Sequence, residues 1–187
     1  MNIPNNARSA DSRAKIKEAL VNLLERKAPD AITVQEVCKL AEVNRTTFYT
    51  HFTNVRDLFE ALEADLYYDA EDNILPKTSD VSLLISRETM LRILSYVRQN
   101  NALYRVYFTE LTESKLINEL SDSIRRIYVM PALQKSSVFA AAEYEYYFEF
   151  CKAGTLSIIK MWLLSGCKEP DKNVAELIEK ILKRCMP

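Results

Sequence analysis

Apolar residues recur at helical spacing along nearly the whole chain, and nowhere does the alternating pattern of a strand persist. The first stripe, Ile16, Leu20, Leu23 and Leu24, predicts a helix from about Asp11 or Ser12 to Lys27, stopped by Pro29 and Asp30. A second begins after Thr33. Val34, Val37, Cys38 and Ala41 share one helical face, with Thr33 as N-cap and Glu36 three residues on, the pattern of a capping box. The turn Glu42-Val43-Asn44 interrupts that face. Asn44 then caps a short helix near 45–51 whose inner side is Phe48 with Phe52. From Asn54, another capping residue, Leu58, Leu62 and Leu66 continue at a spacing of four in a helix that ends before Pro76.

After a polar stretch, 77–81, helical patterning resumes over about 82–99, 101–110, 113–130, 141–165 and 171–185. Asn100-Asn101 separates the first two, Pro131 ends the third, and Gly166 is a natural stop for the fourth. The helix over 141–165 is apolar on nearly all sides and must therefore be covered on all of them. In so small a body one side is expected to meet a second copy, with Ile158 and Trp162 in the contact and Gly154 allowing close approach. The last helix, amphipathic through Val174, Leu177, Ile178 and Ile181, is expected to share that contact. The fold class is all-α: a disordered arm at 1–10, a three-helix head with a helix-turn-helix at 11–53, a linking helix at 54–76, and a helical-bundle dimerisation and effector domain at 77–187. Only two glycines in 187 residues, with 48% hydrophobic residues, agrees with helices rather than a turn-rich β fold.

A net charge of −1 excludes a protein that is basic overall, but DNA binding needs only a local patch. Val43 to Arg56 contains no Asp or Glu. The outer side of the short helix carries Arg45, Thr46, Thr47, Tyr49 and Thr50: hydroxyls suit phosphate oxygens, and Arg can read guanine. The four cysteines, at 38, 151, 167 and 185, form no CxxC, and with a single His there is no zinc spacing. They read as small buried hydrophobes; a redox sensor at Cys151 or Cys167 is the sharper alternative. No phosphate loop or nucleophile–base arrangement is visible, so no enzyme, metal or cofactor is expected. The first twelve residues are polar, and no apolar run reaches the roughly 18 residues of a membrane span, so the expected location is cytoplasmic, without membrane contact.

The run Thr33-Val34, Val37, Ala41, Val43, Thr47-Phe48-Tyr49 and His51-Phe52, with Asp57-Leu58 opening the next helix, resembles the TetR/AcrR family of one-component transcriptional regulators; the stretch TFYTHF stands complete. The chain departs from the family pattern at Thr46, often Gly, and at Val55, usually a phosphate-contacting Lys. The segment from Ala153 to Ile178 is similar to the subfamily that includes the activator of the dihydroxyacetone kinase operon. The resemblance implies that Gln35 and Arg45 face the major groove and that Tyr49 meets the backbone. His51 is either a phosphate neighbour or a packed helix-end residue. The candidate DNA-contacting set is Thr33, Gln35, Asn44, Arg45, Thr46, Thr47, Tyr49, Thr50, His51 and Arg56. The implied function is a homodimeric regulator of a palindromic double-stranded DNA operator, by family default a repressor, released by a small apolar or aromatic ligand. Tyr104, Tyr107, Tyr147, Cys151 and Trp162 are the candidate ligand residues. The alternatives are an activator signalled by a protein partner and a helical interaction protein that has lost DNA binding.

Overall fold

The computed structural model describes residues 3–109, 115–136 and 138–185. Among them every regular element is helical. The head consists of α1 (Ile3–Leu24), α2 (Val34–Leu40) and α3 (Arg45–His51), followed by α4 (Val55–Asp69). The body holds α5 (Val81–Leu84), α6 (Arg87–Gln99), α7 (Asn101–Thr109), α8 (Lys115–Ile124), α9 (Met130–Lys135), α10 (Tyr144–Leu164) and α11 (Asp171–Cys185). None of these helices is long and apolar enough to cross a membrane.

The head closes on Ile16, Leu20, Val37, Phe48 and Leu58, all fully buried. These are the predicted inward stripes of the first four helices, and packing them together removes each from water. The same cluster runs without a break through Leu62 and Leu66 into the body, where Leu94, Leu163 and Ile178 join it. The linking helix is thus part of one continuous core. In the body α6 lies along α11, and α4 packs on α8.

Four expectations change. Residues 3–10 belong to α1 rather than to a disordered arm. Pro4 sits in the first turn, where a missing N–H costs nothing, and Ser12 Oγ donates to Arg8 O at 2.9 Å. The stretch 82–99 is two helices. Asp80 caps α5 by accepting from Ser82 N at 2.8 Å, and Ser86 caps α6 by accepting from Thr89 N at 3.3 Å. The continuous apolar run Leu83-Leu84-Ile85 concealed that second cap.

Pro131 does not end its helix, because α8 first widens into a π-turn over Arg125–Val129 that leads into α9. A proline ring normally collides with the carbonyl four residues back, and the wider turn relieves that conflict. A second π-turn, Ala70–Ile74, ends α4, with Leu75 N bonded to Ala70 O at 3.0 Å.

The fourth change concerns α10. Trp162 and Ile159 face inward, and Ile158 is half-buried against the main core. Trp162 Nε1 donates to Glu169 O at 2.9 Å, and the Arg98 guanidinium lies 5.2 Å from its ring centre. Trp162 therefore anchors the turn between α10 and α11. The outward side of α10 is instead Tyr146, Phe150, Ala153, Gly154, Ser157, Met161 and Leu164.

Candidate nucleic-acid interface and body pocket

Both short helices of the head are set by caps. Thr33 Oγ1 accepts from Glu36 N at 3.3 Å while Thr33 N donates to Glu36 Oε2 at 3.1 Å. Lys27 pairs with the same carboxylate. That ammonium first, and the Thr33 donors second, hold the Glu36 carboxyl down to about 2. Helix α2 ends on Glu42, whose φ of 55° is left-handed, with Val43 N closing onto Cys38 O at 3.0 Å. This is the Schellman arrangement, with a glutamate where glycine is usual. Asn44 Oδ1 then accepts from Thr47 N at 2.7 Å and starts α3.

With Phe48 and Phe52 buried beneath it, α3 turns Arg45, Thr46, Tyr49 and Thr50 to solvent. Tyr49 is 57% exposed, and its ring meets Phe48 edge-on at 5.5 Å. Gln35 and Arg45, read from separate helices, come together: Arg45 Nη2 donates to Gln35 Oε1 at 3.2 Å across the turn. One amide thereby holds the guanidinium, leaving its other donors for a base edge.

The remaining candidates divide. The Thr33 hydroxyl and Asn44 Oδ1 are occupied as caps. Thr50 Oγ1 donates to Thr47 O at 2.7 Å. His51 is half-buried, its ring tilted 6.2 Å from Phe52, at the end of α3. Arg56 is exposed but its Nε donates to Glu60 Oε1 at 3.2 Å, so it already has a carboxylate partner. Val55 packs against the core.

The body holds an apolar pocket of about 140 Å³, partly open to solvent, between α5, α6, α8, α10 and α11. Of the five candidate ligand residues, Tyr147 and Cys151 line it. Tyr104 and Tyr107 do not: they are buried in the main core within an edge-to-face chain, Phe59–Tyr107–Tyr104–Tyr96, with ring centres 5.9, 5.8 and 6.4 Å apart. Trp162 belongs to the α10–α11 turn described above. Tyrosine content alone could not distinguish core from pocket, because both use the same amphipathic ring. The pocket residues missed by sequence, such as Met90, Ile93, Ile124 and Leu156, are apolar at ordinary helical spacing and carried no mark of a cavity.

The family model for bacterial regulatory proteins of the tetR family matches residues 16–62, the head with the start of α4. A second, for the transcriptional regulator C-terminal region of the same family, matches residues 86–184, more than half the chain. The chain belongs to the TetR family. That family consists of DNA-binding transcriptional regulators, whose members bind operators and act as dimers. Probable HTH-type transcriptional regulator YttP of Bacillus subtilis is 29% identical over 114 residues; the matched stretch is 58% of this chain and spans 55% of the length of that relative.

Among solved TetR-like folds, the fatty acid degradation regulator FadR from Bacillus halodurans superimposes with a TM-score of 0.72 at 15% identity, covering 91% of this chain and 94% of that one. A TetR regulator from Streptococcus agalactiae gives 0.68 at 20% identity, covering 97% and 98%. The dihydroxyacetone kinase operon activator DhaS gives 0.65 at 16%, covering 94% and 96%. In this TetR-family chain the outward stripe of α10 is strongly exposed, with Tyr146 at 81%, Phe150 at 69% and Met161 at 70%, and Leu177 and Ile181 of α11 are exposed as well.

Proposed function

We propose that the chain is a homodimeric repressor that places one α3 in each half-site of a palindromic operator and is released when a small apolar molecule enters the body. The observation that carries the DNA reading is the acid-free outer side of α3 with Arg45 held by Gln35. The exposed stripe on α10, continued by Leu177 and Ile181, supports the dimer. Apolar area of that kind is costly to leave in water. A β-carbon added to Gly154 would meet nothing within 4 Å inside the chain, so the position is open to a neighbouring helix. The body pocket supports the effector.

Footprinting on the DNA flanking the coding region tests the first part. A protected palindrome is expected, its half-sites about 34–36 Å apart or a multiple of that spacing. Equal protection of unrelated DNA would remove the operator reading. Deletion of the gene, read by a transcriptional fusion to that operator, should raise expression; a fall would make the chain an activator.

A further inference from the structure

In the body pocket most polar groups on the rim are engaged elsewhere. Ser121 Oγ donates to Ile117 O at 2.6 Å. The Lys152 ammonium pairs with Glu149 at 2.6 Å and lies 5.6 Å from the Phe148 ring. The Cys151 thiol is hydrogen-bonded to Tyr147, and burial pushes its titration up, which keeps it neutral. What remains is hydrocarbon, from Met90, Ile93, Ile124, Phe148 and Leu156 among others, with the Thr155 hydroxyl as a further polar group on the lining. Water needs two to four polar partners to stay in a cavity, and this wall offers almost none. A charged ligand would lose its hydration, and the cation on the lining, Lys152, is already paired with Glu149. The volume, about 140 Å³, is close to the roughly 150 Å³ of apolar cavities that admit a single benzene ring.

The same pocket touches the helix that meets α4. Ser121 and Ile124 of α8 line it. Between them Ser123 is buried on the side toward α4, where Ser123 Oγ donates to Glu71 Oε1 at 2.9 Å and lies 3.0 Å from Tyr67 Oη. Tyr67 Oη donates to that same carboxylate oxygen at 2.5 Å. Glu71 lies in the π-turn after α4, and the π-turn after α8 begins at Arg125, two residues beyond Ser123. Such turns break the regular ladder and are common where a helix has a functional reason to yield.

We propose that this pocket binds a neutral apolar molecule of about one ring, and that Ser123, with Tyr67 and Glu71, relays its presence from α8 to α4. This rests on the reading of the body as an effector domain and adds the ligand class and the relay. A molecule between α6, α8 and α10 displaces α8. Ser123 is the buried polar tie on that helix, so the displacement is passed to Glu71 and the helix that carries the head.

The test uses the full-length protein with fluorobenzene as probe, followed by fluorine NMR, with toluene as competitor and benzoate as the charged molecule of similar size. Saturable binding at one probe per chain is expected, displaced by toluene, with benzoate at least tenfold weaker. Leu156→Trp should abolish it, with circular dichroism reporting the fold. Should that variant unfold, wild-type protein under xenon gas gives the same reading without mutation, through a saturable xenon chemical shift. No saturable binding of fluorobenzene or xenon, or benzoate binding as tightly, overturns the ligand class.

Toluene should then weaken operator binding by fivefold or more, within the usual range of allosteric coupling. Ser123→Ala should keep probe affinity while losing that effect; a wild-type response from Ser123→Ala overturns the relay. Release of DNA by charged or larger molecules but not by toluene sinks this ligand class and leaves the effector reading standing. Probe binding with no effect of any small molecule on DNA sinks the effector reading and, with it, the relay.

Discussion

Arg45 illustrates how a single side chain is prepared for its task. Held by Gln35 at 3.2 Å, it loses less freedom on meeting a base than a free arginine would. Arg45→Ala is expected to weaken specific binding by about 1–3 kcal/mol and to relax selectivity at one base pair per half-site, measured by competition against operator variants. An equal loss on random DNA would make Arg45 a phosphate contact only. Tyr49→Ala should weaken both kinds of DNA and lower the salt dependence. Glu36 gives a pH signature. Its folded value, about 2, lies below the ordinary carboxyl value of 4.5, so the capping box adds stability that is complete above the ordinary value and fades as pH falls toward 2. Lys27→Met should raise the Glu36 midpoint in a carbon-NMR titration toward 4.5, stopping short because the Thr33 donors remain. An unmoved midpoint would mean that Lys27 does not hold it.

Among the elements, the turn between α2 and α3 shows a local rule broken. Glu42 occupies a left-handed position with φ 55°, which costs an L-residue roughly 1–2 kcal/mol, offset in a glycine by about 0.5–1 kcal/mol of extra chain entropy. Glu42→Gly should therefore raise stability by up to about 1.5 kcal/mol in a urea melt. A loss of stability would show that the glutamate side chain contributes more than the backbone conformation costs. The turn after α10 uses the same closure with Gly166 at φ 81°, Cys167 N bonding back to Trp162 O at 3.0 Å. The two π-turns belong to this scale also. They let α4 end on the Tyr67–Glu71–Ser123 contacts and let a proline ride inside α8–α9, neither of which follows from the spacing of apolar residues.

For the whole molecule, α10 serves two sides: Tyr147, Phe148 and Cys151 face the pocket, while Tyr146, Phe150 and Met161 face outward. An obligate dimer built on that stripe with α11 should bury on the order of 2,000 Å² or more. Gly154→Leu is the discriminating change, since a β-carbon there meets nothing within 4 Å in the chain and the exposed position should leave the fold of one copy intact. Sedimentation at micromolar concentration is expected to show a wild-type dimer and a shift of the variant toward monomer. A variant that remains as dimeric as wild type would place the interface elsewhere.

What the sequence by itself determined is what depends on neighbours along the chain. Thr33 with Glu36, Asn44 before Thr47, and Asn54 before Asp57 are caps between residues three apart, and Phe48 with Phe52 fixes the inner side of α3 whatever surrounds it. The head and its family are therefore legible from the order of residues alone, and the TFYTHF run makes them more so. The tertiary structure alone decided questions that need two distant segments at once. Gln35 and Arg45 meet only because the turn folds α2 onto α3. Tyr104 and Tyr107 enter the core while Tyr147 borders a cavity, although all three are aromatics on apolar helical faces. Trp162 turns inward and Phe150 outward from one helix that is apolar all round. Helical periodicity says that a side chain must be covered; which neighbour covers it, or whether space is left, depends on the packing of helices far apart in sequence.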